Sequence, residues 1–401
     1  MNINKALQFF IMGISLLFFI KGKWLFVVVA VGVLVWKQIK ISDLQNETAE
    51  TKKGTLESYS GGVDNNYNLI RILLAWGVLY SHSFTLSATQ AEGWFDQNVG
   101  KELGSVAVNV FFIISGFLIS KSFVRRQDVV QFMKARIFRI IPALAGVVIL
   151  SVAVLGPVVT SLSAKEYFSE KDTWDYLYKN IILTHVEYKL PGVFEKHQNS
   201  AVNGSLWSII YEMRMYLVIV LVGCLGCLTK QKNALALMFL FLAWHFAALL
   251  IPQLETGQLH RVSIYFFMGY VFQQFERRIP LNFIFIIPLG VIAYFFKDLI
   301  IGHFLEALFF AYAVFYLAYI PGGFLRNYNN LGDYSYGFYV YAFPVQQSLY
   351  HFVPNITFLE MLIYASLITS VFAVLSWHYI EKPALKLAKR FSLKMPKESE
   401  L

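Results

Sequence analysis

Charge is scarce in this chain. Only 15% of its 401 residues are charged, against 57% hydrophobic, and the mean hydropathy is +0.54. A surface that apolar cannot be kept in water, which excludes a soluble protein of this length. Cysteine is almost missing: Cys224 and Cys227 lie three apart in an apolar run, with no partners elsewhere to complete a metal site, and read as packing residues. His185, His197, His245, His260, His303, His351 and His378 show no ligand-like spacing, so no metal is expected. Long alternating strands of the barrel kind are lacking, and helices must therefore satisfy the backbone. No small-residue cleavage site follows the first apolar run, which argues against a removable signal peptide. No internal repeat suggests the inverted halves of a transporter.

What the chain does have is a succession of apolar segments of about 17 to 25 residues, the length a helix needs to cross the hydrocarbon. The expected fold is all-α, a polytopic transmembrane bundle of about ten core helices preceded by an N-terminal apolar hairpin or interfacial helix. Residues 1–38 hold that first apolar part, interrupted by Lys21-Gly22-Lys23, and 39–66 read as a polar cytoplasmic linker. The main membrane domain covers 67–385, with spans at about 67–87, 105–123, 138–160, 205–229, 233–251, 260–276, 280–297, 302–320, 332–352 and 356–379. Residues 386–401 form a basic tail. The net charge of +9 does not point to nucleic acid, because the basic residues are concentrated in short connections. The densest cluster, Lys121 to Arg139, marks the cytoplasmic side, and alternation then puts the C-terminus there as well.

The first of the ten spans carries Arg71 near its start and His82 near its end. Eleven positions are almost three helical turns, so both side chains leave one face roughly 16 Å apart, with Asn68, Ala75 and Val78 beside them. Charge at membrane depth is costly and usually faces a bundle interior or a water-filled path. The alternative is that Arg71 snorkels to the headgroups and His82 sits at the other interface.

Three further motifs stand out. Arg136-Ile-Phe-Arg139-Ile-Ile-Pro142 puts two arginines on one side of a helix, where they can grip phosphate with forked hydrogen bonds or merely set topology. Pro142 is placed in the first helical turns. The fourth span begins Asn203-Gly-Ser-Leu-Trp207-Ser-Ile-Ile-Tyr211-Glu212, and Ser205, Ser208, Glu212 and Tyr216 form one polar stripe. A carboxylate at that depth needs a partner, expected to be Arg71, His82 or Arg214. In the second span, Ser115 and Gly116 are small enough to let another helix approach. A tyrosine-rich start to the ninth span, Gly332 to Gln347, has hydroxyls that can line a sugar path or, the favoured reading, anchor at the interface.

In this order along residues 64 to 385, these residues resemble the acyltransferase-3 family of integral-membrane acyltransferases. The resemblance is carried by Arg71-x10-His82, Phe111-Phe-Ile-Ile-Ser115-Gly116-Phe-Leu118, Arg136-x-x-Arg139-Ile-x-Pro142, Leu190-Pro-Gly-Val-Phe194, Asn203 to Glu212, Ser335-Tyr336-x-x-Tyr339 and Glu381-Lys382-Pro383. It implies an acyl-CoA donor entering from the cytoplasm and an acceptor sugar reached from the outer side. It also marks Arg71, His82, Arg136, Arg139 and Glu212 as functional positions. Ala342 stands where many members have histidine, Asn109 where many have aspartate, and the fused esterase-like domain of some members is not present in this sequence.

The function expected on this basis is transfer of an acetyl group from acetyl-CoA to a hydroxyl of a cell-surface polysaccharide or lipid-linked sugar, such as O-antigen or exopolysaccharide, at the bacterial cytoplasmic (inner) membrane. His82 is expected as base, Glu212 to orient or stabilise it, and Arg71 to steady the oxyanion or donor. Arg136, Arg139 and Ser115 are assigned to the donor, and Asn203, Trp207, Tyr211 and Tyr336 to the acceptor. The rival class is a transporter or flippase for a lipid-linked sugar.

Overall fold

A computed structural model describes residues 54–88, 97, 101–126, 128–248, 251, 256–299 and 301–393. The expected N-terminal apolar segment at 1–38, the first part of the linker and the end of the tail lie outside these residues. Among the described residues no strand is formed, and helices occupy all ten expected spans: α2 (Tyr67–Leu86), α3 (Leu103–Arg126), α4 (Val129–Leu150), α7 (Leu206–Cys224), α8 (Gln231–Ala248), α9 (Gln258–Gln274), α10 (Ile286–Phe295), α11 (Gly302–Tyr319), α12 (Ser335–Phe352) and α13 (Phe358–Ser376). A short α1 (Leu56–Ser60) precedes them, α5 (Ala164–Ser169) and α6 (Lys171–Ile182) lie between α4 and α7, and α14 (Lys382–Leu393) follows α13.

Six of the helical stretches, 67–86, 103–126, 129–159, 206–224, 302–319 and 358–390, are long and apolar enough to cross a bilayer. The protein is a multi-pass helical membrane protein. Helix α12 falls outside the six because it carries tyrosines, glutamines and serines. It tolerates them because nearly all of its first thirteen residues are buried among neighbouring helices. The faces turned outward are apolar instead, with Leu73, Val158, Leu221, Leu367 and Val371 all more than half exposed.

Two glycines explain the tightest packing. A Cβ on Gly116 of α3 would stand 2.0 Å from the Phe266 carbonyl oxygen of α9, and one on Gly269 of α9 would stand 2.1 Å from the Ile113 carbonyl oxygen. The backbones therefore meet directly, as small residues permit in lipid, where packing replaces the hydrophobic drive between helices. Polar side chains tie other pairs. Gln346 of α12 donates to the Leu79 carbonyl at 2.9 Å and to Ser83 at 2.8 Å on α2. Asn66 donates to the carbonyls of Leu317 (2.9 Å) and Pro321 (2.8 Å) at the end of α11.

Four local expectations change. The end of the polar linker is folded, because Leu56 is fully buried and its amide donates to Ile279 at 2.8 Å. Helix α4 starts at Val129, capped by Asp128 accepting from the Gln131 amide, so Pro142 lies deep inside the helix rather than in its first turns. Helix α7 ends at Cys224, which is exposed, so only Cys227, in the turn beyond, is packed. Finally, α13 runs through a π-helical turn, Trp377–Glu381, into α14, which makes the start of the expected basic tail helical.

Candidate active site

A cavity of about 290 Å³ opens between α2, α3, α4, α7 and α12, and its wall includes Arg71, Ser115, Arg136, Arg139, Glu212 and Tyr336. Six of the residues singled out in the sequence thus meet on one surface. Their spacing explains it: Arg136 and Arg139 lie on one side of α4, and Ser208, Glu212 and Tyr216 lie one turn apart on α7.

The arginines are not equivalent. Arg139 reaches Asp333 at 2.6 Å and Glu381 at 3.4 Å, and Arg71 reaches the same Asp333 oxygen at 3.3 Å. Ser335 donates to the other Asp333 oxygen at 2.5 Å, and Ser376 to Glu381 at 2.9 Å. Two cations and two carboxylates thus balance in a half-enclosed network, where an unmatched charge is expensive. Arg136 stands apart. Among the described residues it has no ion-pair partner, its buried Nε has no hydrogen bond, and its guanidinium lies 5.9 Å from the Phe132 ring centre.

Glu212 takes a partner that the sequence reading did not name. Tyr216, one turn further along the same stripe, donates its hydroxyl to the Glu212 carboxylate. Arg71 is held by Asp333 instead, Arg214 is exposed and lies over the Tyr211 ring at 5.3 Å, and His82 is in a different chamber. The i to i+4 geometry favours Tyr216 because it needs no rearrangement between helices.

His82 lines a second pocket of about 100 Å³ with Ser81, Thr85, Glu102, Ser105 and Trp207. Its buried Nδ1 has no hydrogen-bond partner, and the ring meets Phe343 edge-on at 5.0 Å. Arg71 and His82 do both face the interior, but they open on two neighbouring cavities, which share Val108 and Tyr339 as walls. The Tyr339 hydroxyl lies 2.6 Å from Ser208 Oγ and 3.2 Å from the Ser205 carbonyl.

The remaining candidates divide. Trp207 is on the His82 pocket and Tyr336 on the larger cavity, its hydroxyl donating to the Ile140 carbonyl at 3.0 Å. Asn203 lines neither: its amide donates to Val340 at 2.9 Å and accepts from the Ser205 amide at 3.1 Å, fixing the start of α7 to α12. Tyr211 packs on Trp207 with ring centres 5.9 Å apart, also away from both walls. Asp333, Tyr216 and Glu102 were not singled out as chemical groups from the sequence. Asp333 stands two residues before Ser335 in the tyrosine-rich stretch and Tyr216 on the polar stripe one turn after Glu212, while Glu102 carries no signal because only the fold brings it to the His82 pocket.

The acyltransferase domain model of the acyltransferase-3 family matches residues 64–378. An O-acetyl transferase of Shigella phage Sf6 is 28% identical over 79% of this chain and 95% of that protein. Nodulation protein 10 of Rhizobium leguminosarum bv. viciae is 28% identical over 41% of this chain and 46% of its own length. No solved structure matches. The match spans every wall of both cavities, and the chain belongs to the acyltransferase-3 family as a multi-pass membrane acyltransferase.

Proposed function

We propose that this protein moves an acetyl group from cytoplasmic acetyl-CoA to a hydroxyl of a cell-surface polysaccharide or lipid-linked sugar, in the bacterial cytoplasmic membrane with its C-terminus inside. The observation that carries the reading is the pair of adjoining cavities, one holding an unpaired arginine and the other an unpartnered imidazole. Arg136 suits an anionic donor, because a guanidinium that forms no close ion pair, with Nε unbonded, has hydrogen-bond donors left for phosphate oxygens. The larger cavity is sized for the acyl end of such a donor and part of its arm, at the low end of ligand pockets, roughly 300 Å³ and upward. The basic side chains near Lys121 to Arg139 support a cytoplasmic position for the end at which Arg136 lies.

His82 is the group suited to remove the proton from a sugar hydroxyl, since imidazole is neutral and basic near physiological pH. The alkoxide oxygen attacks the thioester carbonyl, a carbon–oxygen bond forms, and the carbon–sulfur bond breaks. The proton held on His82 passes to the departing sulfur, leaving an acetyl ester and the CoA thiol. Glu102, Ser81 and Ser105 around the histidine offer the hydrogen bonds a polyol needs. Arg71, bound to Asp333, serves this reading as part of the frame rather than as an oxyanion partner.

The test is His82→Ala in membranes supplied with labelled acetyl-CoA, with label counted on surface glycans. Loss of label at normal protein level is expected. Near-parental labelling removes His82 as base, and labelling that needs no CoA ester removes the donor.

A further inference from the structure

We infer that Val108 and Tyr339 form the partition through which the acyl group passes to His82, and that the gap between them sets the size of acyl group the protein accepts. This rests on the acyl-CoA reading above. Val108 and Tyr339 are the two residues common to the walls of both cavities, at 6% and 8% exposure. A thioester carbonyl on one side and a hydroxyl beside His82 on the other can react only in bonding contact, so the acyl group must pass this layer.

The two halves of the partition differ in stiffness. Val108 is β-branched within α3 and has essentially one rotamer there. Tyr339 is larger and hangs on one anchor, its hydroxyl between Ser208 Oγ and the Ser205 carbonyl, with its ring 6.1 Å from Phe111. The backbone around Tyr339 is pinned, since the Val340 carbonyl takes Asn203 and Gln346 grips α2. The side chain of Tyr339 is therefore the moving part and Val108 the fixed edge. Ser208 also lines the donor cavity, so the anchor lies within reach of whatever fills that cavity.

With the partition closed, water beside His82 is kept from the thioester. With it loosened and no acceptor present, water replaces the alcohol: its oxygen bonds the carbonyl carbon, the carbon–sulfur bond breaks, one proton goes to sulfur, and acetate and the CoA thiol are released.

The experiment uses the full chain in lipid nanodiscs with acetyl-, propionyl- and butyryl-CoA, with and without a glycolipid extract of the host's membranes. Val108→Ala should raise propionyl relative to acetyl transfer about tenfold, the scale of one methylene in a pocket, and Val108→Ile should lower it. Tyr339→Phe should raise hydrolysis without acceptor by roughly tenfold relative to transfer, the scale of one lost hydrogen bond. Ser208→Ala removes the shorter of the two contacts of that hydroxyl while keeping Tyr339 and its bond to the Ser205 carbonyl, and should raise hydrolysis in the same direction by a smaller factor even if the tyrosine variant folds poorly. Acetyl transfer by the parent tests the donor reading. A parent that transfers acetyl, with Val108→Ala, Tyr339→Phe and Ser208→Ala all keeping its length preference and its ratio of hydrolysis to transfer, overturns the partition alone.

Discussion

Replacing Asp333 by Asn keeps the volume and one carbonyl oxygen but removes the charge that two arginines share. Arg139 approaches that oxygen at 2.6 Å and Arg71 at 3.3 Å, with side-chain exposures of 21% and 25% against 13% for Asp333. Removing one member of a buried pair costs roughly 3 to 5 kcal/mol, and because these groups retain some solvent the loss belongs near the lower figure, about 3 kcal/mol. The distances also rank the partners. A charged hydrogen bond contributes about 1.5 to 3 kcal/mol, so coupling of Asp333 with Arg139 should be about 2 kcal/mol, and with Arg71 about 1 kcal/mol. Both follow from double-mutant cycles of Asp333→Asn with Arg139→Gln and with Arg71→Gln, read by reversible unfolding in mixed micelles. A single variant within about 0.5 kcal/mol of the parent, or a coupling to Arg71 equal to that with Arg139, refutes the reasoning.

Arg136→Gln should raise the apparent donor KM about tenfold in acetyl-transfer assays, more than Arg136→Lys, because lysine keeps the charge without the fork; an unchanged KM returns Arg136 to a topological role. Gly116→Ala forces a methyl within 2.0 Å of the Phe266 carbonyl oxygen. It should cost about 3 kcal/mol and show as loss of the monodisperse peak in size-exclusion chromatography, whereas normal behaviour would contradict the α3–α9 contact. In the connection before α7, His197 sits 2.9 Å from Gln347 Oε1, and burial holds its pKa below the ordinary histidine value. Its contribution to holding that segment is full above about pH 6.5, where the unfolded imidazole is neutral, and weakens as pH falls further because the released form takes the proton first. Proteolysis of residues 183–204 should accelerate on acidification in the parent and less so in His197→Gln.

The helices were legible because apolar length leaves little freedom in a bilayer, and the site was half legible for a related reason. Arg71, Arg136, Arg139 and Glu212 stand out in an apolar background, so their inward orientation follows from the cost of any other. Their pairing did not follow. Asp333 lies in a connection before α12 and Glu381 in a π-helical turn after α13, and neither periodicity nor depth says that both converge on Arg139. His82 and Glu212 sit on stripes that each suggest chemistry, yet the single layer of Val108 and Tyr339 between their chambers is a property of three-dimensional packing. Asn203 shows the reverse: a polar residue in such a run need not line a cavity, since its amide bonds the Val340 carbonyl and the Ser205 amide.

The neutral cluster of Arg71, Arg139, Asp333 and Glu381 bears on turnover. With those two guanidinium groups already matched, Arg136 is left as the cation of the larger cavity that forms no ion pair among the described residues, and it works against the Glu212 carboxylate on the same wall. A hold that rests on one cation dissociates readily, so under the proposed acyl-CoA chemistry the spent donor can leave without a conformational stroke to eject it. The same economy makes recharging sensitive to ionic strength, and throughput should fall with added salt in proportion to a single charge contact.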